Sequence, residues 1–276
     1  MAATATESDR FQSFLDSKQY TLNGNFSRLA GVGILRYEFV FGEGYISSGG
    51  IETTKELLNT LTLPKGSRVL DIGSGIGGGC AFLADRFGVH VHGVDLSANV
   101  VAIAQERYGG RSDLKFEVAD AVTLELPPAS LDLIYSRDSI LHLSVEQKRI
   151  LFTNCFKWLK PGGQVFITDY CAISQDMWDS EFSAYVKSRG YTLLSVEGYA
   201  ALLEEVGFKV KIQRDITERW IQSLISERSL LKNKESEFLK RFKQEDFNEL
   251  SSSWEAKIER AQKHIQLWGF FTAIKP

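Results

Sequence analysis

The chain has 276 residues, of which 43% are hydrophobic, 24% charged and 12% aromatic. That composition excludes a collagen, a coiled coil and a mostly disordered chain, and the length allows a sizeable core in one large or two small domains. Thirty-two Lys and Arg face 35 Asp and Glu, a formal net charge of -3, which argues against a protein of duplex nucleic acid. Three scattered cysteines, Cys80, Cys155 and Cys171, supply neither a disulfide framework nor a metal knuckle and point to a reducing compartment. No apolar run approaches the roughly 18 residues of a membrane span. Residues 1–10 are small and polar with acids among them, unlike a secretory or transit segment. The expectation is a cytoplasmic globular protein, and a monomer, because no self-complementary stripe is visible.

Residues 1–50 stand outside the regular pattern. Ile51, Leu57, Leu58 and Leu61 predict a helix over 51–61, broken by Pro64, Lys65 and Gly66. A strand over 68–72 runs into glycines and then a helix through Arg86. There follow a strand over 90–95, a helix over 98–108, and strands over 114–118 and 131–135. A helix over 147–159 is stopped by Pro161, Gly162 and Gly163, ahead of a strand over 164–169. Strands alternating with ten-residue helices predict βαβ units and a parallel sheet. A segment over 176–189, with Trp178 and Phe182 at helical spacing, follows as an insertion. A helix over 196–206 and a strand over 208–214 precede a long amphipathic helix over 217–243, bearing Trp220, Leu224, Leu231, Phe238 and Phe242. A helix over 255–267 and a last strand over 268–274 complete a seven-stranded α/β sheet.

The strongest motif is Val69-Leu70-Asp71-Ile72-Gly73-Ser74-Gly75-Ile76-Gly77-Gly78-Gly79. Glycines let the backbone turn tightly and approach a ligand, and the helix beyond presents free N–H groups. Gly73, Gly75 and Gly78 also meet the GxGxxG spacing of dinucleotide enzymes. Asp71 argues against a diphosphate there and suits the cationic aminoacyl group of S-adenosylmethionine. Asp95 ends the second strand about twenty residues on, where a carboxylate reaches a ribose diol; it reads equally as a helix N-cap, a role open to Ser97 as well. Asp120 could accept from an adenine amino group or be a solvated loop acid. The strand over 131–135 empties into Arg137, Asp138, Ser139 and His142, at the end where open α/β sheets bind ligands. His142 is either an acid/base group or a core histidine between Leu141 and Leu143. His90 and His92 share a strand face without further ligands, so no metal site is expected.

Several segments together resemble phosphoethanolamine N-methyltransferases. They are Phe14-Leu15-Asp16 with Gln19-Tyr20, the run from Tyr37 to Gly50, Tyr135-Ser136-Arg137-Asp138 with Ile140-Leu141-His142-Leu143, Thr168-Asp169-Tyr170-Cys171, and Arg189 with Tyr191-Thr192-Leu193. The chain is similar to the compact enzymes of malaria parasites and to the C-terminal catalytic half of the plant enzymes. The stretch between Tyr20 and Tyr37 is longer than in the parasite proteins. The resemblance implies a class I methyltransferase fold, Rossmann-like and mostly parallel. It implies an N-terminal helical lid over 1–50 and an S-adenosylmethionine-dependent methyltransferase domain over 51–276.

It also implies residue roles. Ile46, Ser47, Asp71, Gly73, Asp95, Asp120 and Arg137 would surround S-adenosylmethionine. Gln19, Tyr20, Tyr37, Asp138, Tyr170, Arg189, Tyr191 and Lys257 would hold the phosphobase. Tyr20 and His142 would form the Tyr–His pair that closes over the ligands. The implied reaction is methylation of phosphoethanolamine to phosphocholine in three steps. The alternatives are an enzyme restricted to the later methylations, a nicotinamide-dependent oxidoreductase using the same glycine loop, and a non-catalytic binding module.

Overall fold

The computed structural model describes residues 32–276. Gln19 and Tyr20 lie outside the described residues, as does most of the 1–50 segment. Its described part is helix α1, Val32–Phe41, and a turn leading to α2, Gly50–Leu58.

Seven strands form one sheet in the order β3-β2-β1-β4-β5-β7-β6. They are β1 Arg68–Ile72, β2 His90–Asp95, β3 Leu114–Val118, β4 Leu131–Arg137, β5 Leu159–Ala172, β6 Lys209–Asp215 and β7 Gln266–Ile274. The pairs from β3 through β5 are parallel, and β7 inserts antiparallel between β5 and β6. Parallel strands need crossover connections; here helices α3 Gly78–Phe87, α4 Ala98–Tyr108 and α5 Val145–Trp158 serve as such. Four of the five β1 residues are buried, as expected of a strand covered on both faces. Two large apolar clusters result, beside a small one of Ala172, Phe182, Val186 and Ile265. One contains Val69, Leu133, Phe166 and Trp268; the other contains Leu70, Ile134, Phe152 and Phe271.

Beyond β5 come α6 Ser180–Arg189, α7 Val196–Val206, α8 Thr217–Asn233, α9 Glu235–Leu239 and α10 Gln244–Gln262. The single long helix expected over 217–243 is therefore broken. Lys234 leaves the helical region at φ -108°, ψ 21°. The turn beyond it directs Phe238 and Phe242 onto Phe39 of α1, at ring centroid distances of 5.2 and 6.3 Å. The helix expected over 255–267 begins eleven residues earlier, at Gln244, and buries Phe247, Leu250, Trp254 and Ala261. β5 also starts before the expected residue 164: Leu159 pairs with Leu131, and Lys160–Gly163 stays with the sheet through Gly162 and Lys275.

Phe271 is fully buried and stacks on Tyr199 at 4.4 Å and 9°. We expect Phe271→Ala to cost about 3–5 kcal/mol of stability in urea denaturation, the range for emptying a packed aromatic site. A loss under about 1 kcal/mol would mean that β7 is not packed as described.

Candidate active site

The carboxyl ends of the parallel strands all open on one edge, so the loops after β1, β2, β3 and β4 converge there. They line a cavity of about 330 Å³, whose opposite wall comes from α1, the turn after it, α6 and α10.

The glycine loop supplies the floor. Gly73, Gly75 and Gly77 have φ of 74°, 53° and 88°, a conformation costly for residues with a Cβ. A Cβ at Gly78 would lie 2.2 Å from the Gly44 carbonyl oxygen, so the turn after α1 rests directly on the helix start. Gly75 N–H donates to Asp95 Oδ2 at 3.0 Å, and Ser97 N–H donates to Asp95 Oδ1 at 2.9 Å. Asp95 thus closes a turn ahead of α4 and braces the loop, while the N-cap residue Ser97 makes no side-chain cap. Burial raises the Asp95 carboxyl above its usual range. Asp71 is 3% exposed, accepts from Cys80 Sγ at 3.1 Å, and is pushed up to about 7 by burial. Asp120 closes a local turn onto Val122 N–H at 2.8 Å.

Ile46 and Ser47 reach the cavity from the turn after α1. That turn is tied down by charge. Glu38 is buried, takes a two-pronged contact from Arg107 at 2.5 and 3.0 Å, and accepts from Gly44 N–H at 2.7 Å. Arg137 donates to Thr54 Oγ1 and to the Ser48 carbonyl, both at 2.5 Å. It also reaches the Gly50 carbonyl at 3.3 Å, so its two terminal nitrogens hold the turn between α1 and α2, while Arg137 itself lines the cavity.

Asp138 stands where these parts meet. Its φ is 52°, a left-handed value rare for a residue with a side chain. Its carboxylate accepts from Trp268 Nε1 at 2.7 Å, Thr168 Oγ1 at 3.0 Å and Ser48 N–H at 3.3 Å. Burial raises its pKa.

The far end of the cavity is cationic and aromatic. Tyr37, Tyr170, Arg189, Tyr191 and Lys257 all line it. Tyr170 hydroxyl pairs with Ser48 Oγ at 3.0 Å. Lys257 Nζ lies 5.7 Å from the Tyr170 ring centroid and 4.9 Å from that of Trp254. Burial pulls its ammonium down, and Glu227 pulls it back up. His142 stands edge-on to Tyr191 at 5.1 Å. Its imidazole is held at about 3 by burial, Lys148 and Arg189, and is neutral at pH 7.

All the candidate residues within the described part therefore line one cavity; Gln19 and Tyr20 are outside the described residues. Three residues that build the site were not singled out from the sequence. Trp268 orients Asp138. Glu227, buried, accepts from Gly49 N–H at 2.7 Å and Trp254 Nε1 at 2.9 Å. Tyr185 packs beside Arg189. The signal for Glu227 was available: it shares the apolar stripe of Trp220, Leu224 and Leu231 on α8. Among the described residues, no group of three or more His, Cys, Asp or Glu could hold a metal.

The donor set discriminates between ligands. Buried Asp71 and half-buried Asp95 beside a glycine loop suit an amino group and a ribose diol, and Asp71 would repel a diphosphate. The opposite end suits a dianion.

A family model described as a methyltransferase domain matches residues 69–163. The phosphoethanolamine N-methyltransferase of Plasmodium falciparum is 46% identical over 264 residues, 96% of each chain. Phosphoethanolamine N-methyltransferase 1 of Triticum aestivum is 46% identical over 271 residues, 98% of this chain and 52% of the wheat protein. Among solved structures, Haemonchus contortus phosphoethanolamine N-methyltransferase 2, in complex with phosphomonomethylethanolamine and S-adenosylhomocysteine, superposes with a TM-score of 0.89 at 34% identity. That match covers 100% of this chain and 61% of the nematode chain. The chain thus spans nearly the whole parasite relative but about half of the plant one. Sharing almost half its residues with the parasite enzyme along almost all of both, the chain belongs to the phosphoethanolamine N-methyltransferase family.

Proposed function

We propose that the chain methylates the nitrogen of phosphoethanolamine with S-adenosylmethionine and, through the mono- and dimethyl forms, makes phosphocholine. The observation that carries this is the polarity of one cavity. Asp71 and Asp95 line it beside the glycine loop, Arg189 and Lys257 line it from α6 and α10 with Tyr37, Tyr170 and Tyr191, and Asp138 lines it from the end of β4.

Asp71 and Asp95, with Gly73 and Asp120, would hold S-adenosylmethionine under Ile46 and Ser47. When bound, that group supplies a methyl on a sulfonium, an electrophile with a good leaving group. Arg189 and Lys257, with the hydroxyls of Tyr37, Tyr170 and Tyr191, would fix the phosphate. The fixed phosphate sets how far the amine reaches, and Asp138 orients it toward the methyl; alignment of this kind supplies much of the rate. A primary ammonium titrates near 10, so it must shed a proton before its lone pair attacks. The neutral His142 imidazole can accept that proton at a ring nitrogen. A phosphate dianion beside Arg189 would cancel part of the repulsion that depresses His142, making it more basic once substrate is present. Tyr20, the partner that the resemblance gives His142, lies outside the described residues. Residues up to 50 would act as a lid that excludes water. The three buried free thiols suit a reducing, cytoplasmic setting. The large exposed apolar side chains are scattered, as in Val118, Ile150 and Met177, which supports a monomer.

The test is product mass analysis with S-adenosylmethionine and, separately, phosphoethanolamine, its monomethyl form and its dimethyl form. Phosphocholine from all three is expected. The phosphomonomethylethanolamine bound to the nematode relative favours a second reading, an enzyme restricted to the later steps; turnover of only the methylated forms would establish it. No turnover of any would refute the substrate.

The cofactor end has a pH signature. Asp71 titrates at about 7, and only its ionised form is a charged acceptor for an ammonium. Affinity for S-adenosylmethionine should therefore fall as pH drops through 7, by up to about tenfold per unit. Calorimetric titration between pH 5.5 and 8.5 measures it, and Asp71→Asn should flatten the profile. An unaltered slope in that variant would show that another group titrates.

A further inference from the structure

Lys148 is a fully buried lysine in the first turns of α5. It shares a helix face with Leu151, Phe152 and Cys155, all buried. Burial disfavours a cation there, and so does the adjacent helix N-terminus. Neither Lys148 nor its counter-charge Asp169 lines the cavity.

What Lys148 touches is specific. Its Nζ donates to the carbonyls of Ile140 at 2.6 Å and Leu143 at 2.7 Å. These residues bracket His142 in the 3₁₀ turn Ile140–His142. The remaining backbone of that turn is also held. The Leu141 carbonyl accepts from Thr192 N–H at 2.8 Å. The His142 N–H donates to the Ser139 carbonyl at 3.3 Å. Asp169 is itself fully buried and accepts from Tyr199 hydroxyl at 3.3 Å. Burial pulls the Lys148 ammonium down and pushes the Asp169 carboxyl up, each opposed by the other's charge. Helix α5 offers a firm base, because Ser144 and Gln147 cap it reciprocally.

We infer that Lys148, backed by Asp169, is a positioning residue that clamps the turn on both sides of His142 and holds the imidazole on the cavity wall beside Tyr191. The inference rests on the reading of His142 as the proton acceptor. Stability is a poor reason for the arrangement, since apolar residues commonly replace a buried charge pair without loss. The two carbonyls, in contrast, need a donor that reaches both, and a lysine stem does so without entering the cavity.

The test is a mutant cycle with His142 in the full chain, assayed with phosphoethanolamine and S-adenosylmethionine. The charge-balanced pair Lys148→Met/Asp169→Asn is the main variant, and thermal unfolding reports its fold. We expect kcat to fall at least about tenfold, with both KM values within about threefold. In a His142→Ala background, the same pair should change kcat by less than about twofold, because its route of action is already gone. Equal losses in both backgrounds would overturn the inference, as would a folded variant with wild-type kcat. A variant that fails to fold would show the pair to be a stability element and would overturn it too. If His142→Ala alone kept wild-type kcat, the proton-acceptor reading itself would fail. An impaired His142→Ala beside an unimpaired Lys148→Met/Asp169→Asn would refute only the positioning role.

Discussion

The carboxylate of Asp138 is the joint on which the site depends. The residue follows β4 directly in a left-handed conformation, and its carboxylate receives hydrogen bonds from three chain segments distant in sequence. Trp268 brings β7, Thr168 brings β5, and the Ser48 N–H brings the turn between α1 and α2. Burying a carboxylate is costly unless its lone pairs are used, and here three donors use them. The strain and the burial are compensated by fixing one acid at the meeting of the parallel sheet, the C-terminal strand and the turn between α1 and α2. A charge so held does not reorganise when a ligand arrives, which is the property electrostatic positioning requires.

The rest of the cavity follows from the topology. Parallel strands deliver their loops to one edge, so the acids of the β1 and β2 loops share a floor. The cations come from α6 and α10, elements added after the parallel core. On the proposed reading, the acids of the glycine-loop side would take a cation and Arg189 with Lys257 would take a dianion. Glu227 links the two halves of the roof. It holds Gly49 on one side and Trp254 on the other, and it supports the charge of Lys257.

Local chemistry made the core legible. Strands β1, β2 and β3 stand at the residues expected of them, because apolar runs bounded by glycine, proline and acids leave few options. The glycine loop was legible for the same reason: alternate glycines predict positive φ, and three of them have it. What escaped depends on contacts distant in sequence. The amphipathic pattern over 217–243 continues through Lys234, so nothing local marks the break there; the segment beyond it packs Phe238 and Phe242 on Phe39. Trp268 looks like a core residue, and it is one; its indole N–H acquires a partner only because β7 inserts beside β5. Polar residues on apolar stripes were the unused clue. Lys148, Glu227 and Lys257 each interrupt such a stripe, and each is held in the walls of the site or behind them.

The most direct test of this account is calorimetric titration of Asp138→Asn with phosphoethanolamine and, separately, inorganic phosphate. Asparagine preserves acceptance from Trp268 and Thr168 but removes the charge that faces the amine. The account predicts at least about a tenfold loss for phosphoethanolamine, which carries the amine, and wild-type affinity for phosphate, which does not. Equal affinity for phosphoethanolamine before and after substitution, or an equal loss for both ligands, would contradict it.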